Sequence, residues 1–173
     1  VFYGHLSPGR LLPPTSLFSL IGDVPSDRLG GSVTWRAAPR LDVLAELLGR
    51  VQDKDLGGDA FVETRLRFDD EGASWASLRL RRQGMPQTSW SGIRVAIAMA
   101  LPKKWAAVGE GEVVLRDSDI DGRGQIWPWG LAGLSKEIAS GWQLAAALET
   151  GATPQQSFYL NALVRATYLW GSS

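Results

Sequence analysis

The segment "AFVETRLRFDDEGASWASLRLRR", Ala60–Arg82, decides how the chain is to be read. Two runs of alternating apolar and polar residues flank "DDEG", a turn-forming cluster, and this pattern predicts a β-hairpin. An odd-length loop places Val62, Leu66, Phe68, Ala76, Leu78 and Leu80 on one face. The other face then carries Glu63, Arg65, Arg67, Trp75, Ser77, Arg79 and Arg81. A loop of four residues would mix the two sets, so the apolar pattern selects the odd register. Glu63 is expected opposite Arg79, and Arg67 beside Trp75 in a cation–π contact. The apolar face is expected to be core. Arg65, Arg67, Trp75, Arg79 and Arg81 form a candidate face for an acidic protein partner or for phosphates. The competing reading is a strand face made soluble by arginine.

Working outward, "GIRVAIAMAL" continues the pattern. Ile93, Val95, Ile97, Met99 and Leu101 fall on one side, with Arg94 and three alanines on the other. "GSVTWRA" predicts a short strand, and "GEVVLRDSDI" and "GRGQIWPW" predict two more around Asp121-Gly122. Elsewhere the pattern suggests helix. In "PRLDVLAELLGRV", Leu41, Leu44, Leu47, Leu48 and Val51 are spaced as on a buried helical stripe, with Pro39 at the first turn. "SKEIASGWQLAAALETG" is rich in alanine, which favours helix, yet Trp142, Leu144, Ala146 and Leu148 alternate as in a strand. "TPQQ" offers Thr153 as an N-cap, Pro154 at the first helical position and Gln156 in a capping box, so a helix is predicted over 154–170. Residues 1–30 read as irregular. The expected fold is α+β: a single domain over 1–173 with one mainly antiparallel sheet of five or six strands, one helix in the N-terminal part and one or two at the C-terminus.

Composition narrows the function. The 173 residues carry 18 basic and 18 acidic side chains, which argues against a global electrostatic grip on nucleic acid and leaves room for a local basic face. There is no cysteine and only one histidine, His5, so thiolate chemistry and Cys- or His-rich metal centres are excluded. No apolar run approaches the length of a membrane span. P-loop, Rossmann and G-x-S-x-G signatures are lacking, and no carboxylate pair among Glu110, Glu112, Asp117 and Asp119 is singled out, so the chain reads as non-catalytic.

Two further candidates remain. "RDSDIDGRGQIWPWG", Arg116–Gly130, opens like a calcium loop, with Asp117, Asp119 and Asp121 ahead of Gly122. Pro128 stands where an EF-hand needs its bidentate glutamate, so a turn at Asp121-Gly122 competes with calcium as the reading. The 154–170 segment has a narrow polar stripe of Ser157, Asn161 and Arg165. As a helix it is expected to dock on another subunit through Tyr168, Leu169 and Trp170. Together these features suggest a non-catalytic protein-interaction or assembly subunit of a larger bacterial complex, without a cofactor. The alternatives are a nucleic-acid-contacting subunit using the arginine face, and a calcium- or carbohydrate-binding module using the aspartates with Trp127 and Trp129.

Overall fold

A computed structural model describes residues 2–6, 26–52, 55–84, 89–118, 125–139, 141–152 and 156–168. All of its regular structure is β. A short strand, β1 (Phe2–Leu6), is followed by nine long ones: β2 (Ser26–Ala38), β3 (Leu41–Gln52), β4 (Asp55–Arg67), β5 (Trp75–Gly84), β6 (Trp90–Leu101), β7 (Trp105–Arg116), β8 (Ile126–Ala139), β9 (Trp142–Gly151) and β10 (Tyr159–Tyr168). Each strand pairs antiparallel with the next in a single up-and-down sheet, with β1 and β10 at its two edges. At one end the strands are joined by turns at 39–40, 68–74, 102–104 and around Gly141. We call this the turn end; β5–β6, β7–β8 and β9–β10 are connected at the opposite end.

This overturns the α+β expectation. The described residues contain no helix, and the sheet has nearly twice the expected number of strands. Residues 41–51 lie in β3, paired on both sides: Ala45 faces Val33 on one neighbour and Val62 on the other. The leucines at helical spacing divide between the two faces, Leu41 and Leu47 on one and Leu44 and Leu48 on the other. A helix here would strip the β2 and β4 ladders of their partners, a cost that outweighs the helix propensity of Leu and Ala. The segment around Trp142–Gly151 resolves in favour of its alternation, as β9. The predicted 154–170 helix is replaced by β10, paired with β9 from Tyr159 to Tyr168. Asn161 and Arg165 are four residues apart, a spacing that keeps two side chains on one face in a helix and in a strand alike. Of the capping signature, Thr153 and Pro154 lie outside the described residues, and Gln156 is described and belongs to no helix.

The hairpin over 60–82 has the expected register, with Glu63 facing Arg79 and Arg67 facing Trp75. Its faces, however, carry the opposite environments. Val62, Leu66, Leu78 and Leu80 are exposed, whereas Glu63 on the other face is buried. The same inversion runs through the sheet. Ile93, Val95, Ile97 and Met99 of β6 are exposed, while Glu112 and Val114 of β7 are among the most buried residues. The polar face is therefore concave. On it, side chains of β5 and β7 meet across the intervening β6, through Arg81 and Glu112. Trp90, Val114, Trp127 and Trp129 form a buried cluster on the same face, joined by Tyr159 from β10.

The strands are also staggered. A line of facing residues starts at Trp35 near the turn end of β2, passes through Leu78 and Gly111, and reaches Leu160 near the opposite end of β10. Tyr168, at the turn end of β10, lies eight residues beyond Leu160 after eight strand-to-strand steps. With a rise of about 3.3 Å per residue and about 4.8 Å between strands, the strands tilt by about 35°. Barrels close at inclinations of about 35–45°.

Candidate functional site

The concave face carries an oblique band of ion pairs. Asp42 on β3 binds Arg67 at 3.1 Å and Arg36 at 3.3 Å. Glu63 accepts from Arg65 Nη2 at 3.0 Å and from Arg79 Nε at 2.8 Å. Arg81 Nη2 lies 2.6 Å from Glu112 Oε1. Arg94 pairs with Glu110. Alternation puts every one of these residues on the same face, and antiparallel register places acids of β4 and β7 near arginines of β5 and β6.

Aromatic rings support the guanidiniums. Arg65 lies over Trp75 at 4.6 Å, Arg79 over Phe61 at 4.7 Å and Arg81 over Trp90 at 4.3 Å. The expected partner of Trp75 was Arg67, its directly facing neighbour. Arg67 instead bonds Asp42 and the Pro39 carbonyl, and the diagonal neighbour Arg65 takes the ring. Diagonal pairs are within reach of long side chains. Gly92 makes room for the Arg81–Glu112 pair: a Cβ there would lie 3.1 Å from Glu112 Oε1 and 3.3 Å from Arg81 Cγ. Farther along, Glu149 accepts from Trp129 Nε1 at 2.6 Å and from the Tyr159 hydroxyl at 3.2 Å. Shared carboxylates of this kind, Glu63 between two arginines and Glu149 between Trp129 and Tyr159, tie neighbouring strands of the face together.

All five candidate residues of the arginine face, Arg65, Arg67, Trp75, Arg79 and Arg81, come together here. The other candidates do not join them. Tyr168 ends β10 on the apolar face, where its ring lies 5.0 Å from that of Trp142. Leu169 and Trp170 lie outside the described residues, as do Asp119 and Asp121. Asp117 is ion-paired with Arg82, which holds its carboxyl below the usual aspartate range. The described residues contain no group of three metal-ligating side chains. The base of the 117–125 loop is closed by a hydrogen bond from Arg116 N to Gln125 O at 2.9 Å. Trp127 and Trp129 are buried in the tryptophan cluster.

Sequence reasoning did not assign Arg94, Glu110, Glu112, Trp90, Glu149 and Tyr159 to this face. Arg94 carried a signal, since it is the one charge in β6 among small residues. Glu110 and Glu112 alternate with glycines in "GEGE" as a strand requires, but only the β6–β7 register brings them to Arg94 and Arg81.

The convex face has its own order. From β2 to β10 its charged residues sit at the two margins: Asp27 and Arg82 toward one end, and Lys136 at the turn end. Trp35, Trp105, Trp142 and Tyr168 fall on one straight line at the turn end, advancing by about one residue per strand with the 35° tilt. Lys136 shares that line and reaches the Trp105 ring at 4.9 Å. The two margins lie about eight residues apart along the strands, or about 21 Å perpendicular to the line. Between them stand Leu, Ile, Val, Met, Ala and Gly, interrupted by Thr64, Pro128 and Thr150. No helix among the described residues is long and apolar enough to cross a membrane. Comparison with protein-family models, with curated proteins and with solved structures finds no match for this chain.

Proposed function

We propose that this chain forms the wall of a membrane-embedded β-barrel of outer-membrane type, with its apolar face against lipid and its charged face toward a polar lumen. The observation that carries this reading is the convex face. An apolar band, broken among the described residues by Thr64, Pro128 and Thr150, spans nine strands, bounded on one side by an aromatic line and on both sides by charges. Monomeric soluble proteins rarely expose apolar patches beyond a few hundred Å². Membrane barrels carry an apolar band about 25 Å tall between aromatic girdles, strands tilted about 35–45°, short turns at one end and a polar interior. Strands cross with only every second residue apolar, so this reading requires no long apolar run in the sequence.

The assembly-subunit expectation rested on an apolar terminal helix. Of its described residues, Tyr159–Tyr168 form β10, and alternate ones, Leu160, Ala162, Val164, Ala166 and Tyr168, continue the same apolar band, which makes lipid the partner they fit best. The nucleic-acid reading rested on four arginines, and carboxylates set among them on the concave face weaken the field that a polyanion would need, though not the capacity of one guanidinium to hold a small anion.

The absence of native cysteine makes the test direct. Single substitutions Val95→Cys and Leu134→Cys on the convex face, and Ser77→Cys on the concave face, are introduced into the chain produced in bacterial envelopes. The expectation is that an aqueous maleimide labels Ser77→Cys and spares the other two, which react only with a lipid-partitioning reagent. If the chain is recovered as a detergent-free soluble protein with Val95→Cys labelled in water, the membrane reading fails.

A further inference from the structure

The band of ion pairs on the concave face joins six arginines to four carboxylates, and some of these pairs are layered in height. In the pairs of Glu63 and Glu112 the carboxylate lies beneath and the guanidinium above, whereas Arg94 and Glu110 are about equally covered. The Glu63 side chain is 6 % exposed, against 47 % for Arg65 and 30 % for Arg79. Glu112 is fully covered while Arg81 retains 18 %. A solute at this surface meets guanidinium first, with the compensating negative charge set behind it. The arrangement opens into a recess of about 270 Å³, whose floor is made by the small side chains of Ser77 and Ala96 and whose walls carry Arg65, Arg79, Arg94 and Trp75. Arg65 spends one donor, Nη2, on Glu63, leaving Nε and Nη1 without an acceptor among the described residues. Its plane is fixed over Trp75. A planar guanidinium with donors to spare, beside a hydroxyl and two further guanidiniums, matches the chemistry of an oxyanion.

We propose that this recess is an oxyanion-binding site, taking a phosphate or carboxylate group, and that it makes the lumen select for anions. The selectivity rests on the barrel reading above; the binding does not. Glu63 and Glu110 line the same recess, and they set the character of the site. They hold the arginines in place and weaken their net field, so the site suits transient binding of a passing anion better than tight capture.

The test uses the full chain purified in detergent micelles and titrated with inorganic phosphate at low salt by calorimetry, because salt screens exposed charges. Saturable phosphate binding is expected. It should weaken about tenfold in Arg65→Gln, the loss expected for one charge-assisted hydrogen bond. Glu63 keeps Arg79 in that variant. A second variant, Ser77→Glu, leaves every arginine in place but puts a carboxylate in the recess, and should abolish binding. No saturable binding, or equal binding by wild type and both variants, overturns the site. In planar bilayers under a potassium chloride gradient the reversal potential should report anion preference, and cation preference overturns the selectivity. Phosphate binding that depends on Arg65 without any conductance would defeat the barrel reading and leave the oxyanion site standing.

Discussion

An arginine placed at Val95 distinguishes lipid from water on the convex face. Val95 lies on β6, four residues from Ser91 at one margin of the apolar band and six from Leu101 at the other, which puts it near mid-depth. Its facing neighbours are Leu78 and Gly111, so no carboxylate stands beside it to pair with a new charge. An arginine on the lipid face costs about 2–4 kcal/mol at the bilayer midplane and about 0–1 kcal/mol near the interface. Leu101 faces Trp105 at the aromatic line, so Leu101→Arg supplies the interfacial control. The difference of about 2–3 kcal/mol corresponds to a change of roughly thirty- to 150-fold in the folding equilibrium. Denaturant titration of the chain in phosphatidylcholine vesicles, read by tryptophan fluorescence, measures it. In water the ordering would vanish, since surface substitutions usually stay within about 0.5 kcal/mol. Equal stabilities for Val95→Arg and Leu101→Arg would refute the assignment of this face to lipid.

Other consequences follow from the concave face and the turns. Glu63→Gln removes the shared partner of Arg65 and Arg79, and should destabilise the folded chain by about 3 kcal/mol in the same titration, because a buried charge pair loses one member. Gly92→Val drives a side chain into Glu112, Trp90 and Arg81, and should cost about 1–3 kcal/mol while moving the fluorescence of the tryptophan cluster. In the 68–74 turn, Asp69 accepts from Ala73 N at 2.8 Å and Ser74 N at 2.7 Å, and its bonds with Ser74, followed by those with the turn amides, hold its carboxyl below the usual value of 3.8. A depressed carboxylate stabilises the fold fully above its ordinary value and stops doing so as pH falls through the lowered one. Protection of the Ala73 and Ser74 amides, taken relative to their intrinsic exchange rate at each pH, should therefore be constant at neutral pH, fall as pH drops below the usual aspartate value, and show no such fall in Asp69→Asn.

The alternation of residues 60–82 and 92–101 was enough to determine which side chains share a face, and the pairing of Glu63 with Arg79, because a strand's period of two admits one solution there. The same sequence left 41–51 and 154–170 open to a helical reading. Asn161 and Arg165, or Leu44 and Leu48, stand four apart and satisfy both periods, and a helix cap can be written in a loop that precedes a strand. Only pairing with neighbouring strands decides such segments, since the hydrogen bonds that choose between them come from residues distant in the chain. The environment of each face was likewise beyond the sequence. An alternating strand reports that its two sides differ, not which side is covered. The tertiary structure decides that through curvature: ten strands in one sheet, tilted by about 35° and curled toward the arginines, bury Glu112 and leave Val95 outside.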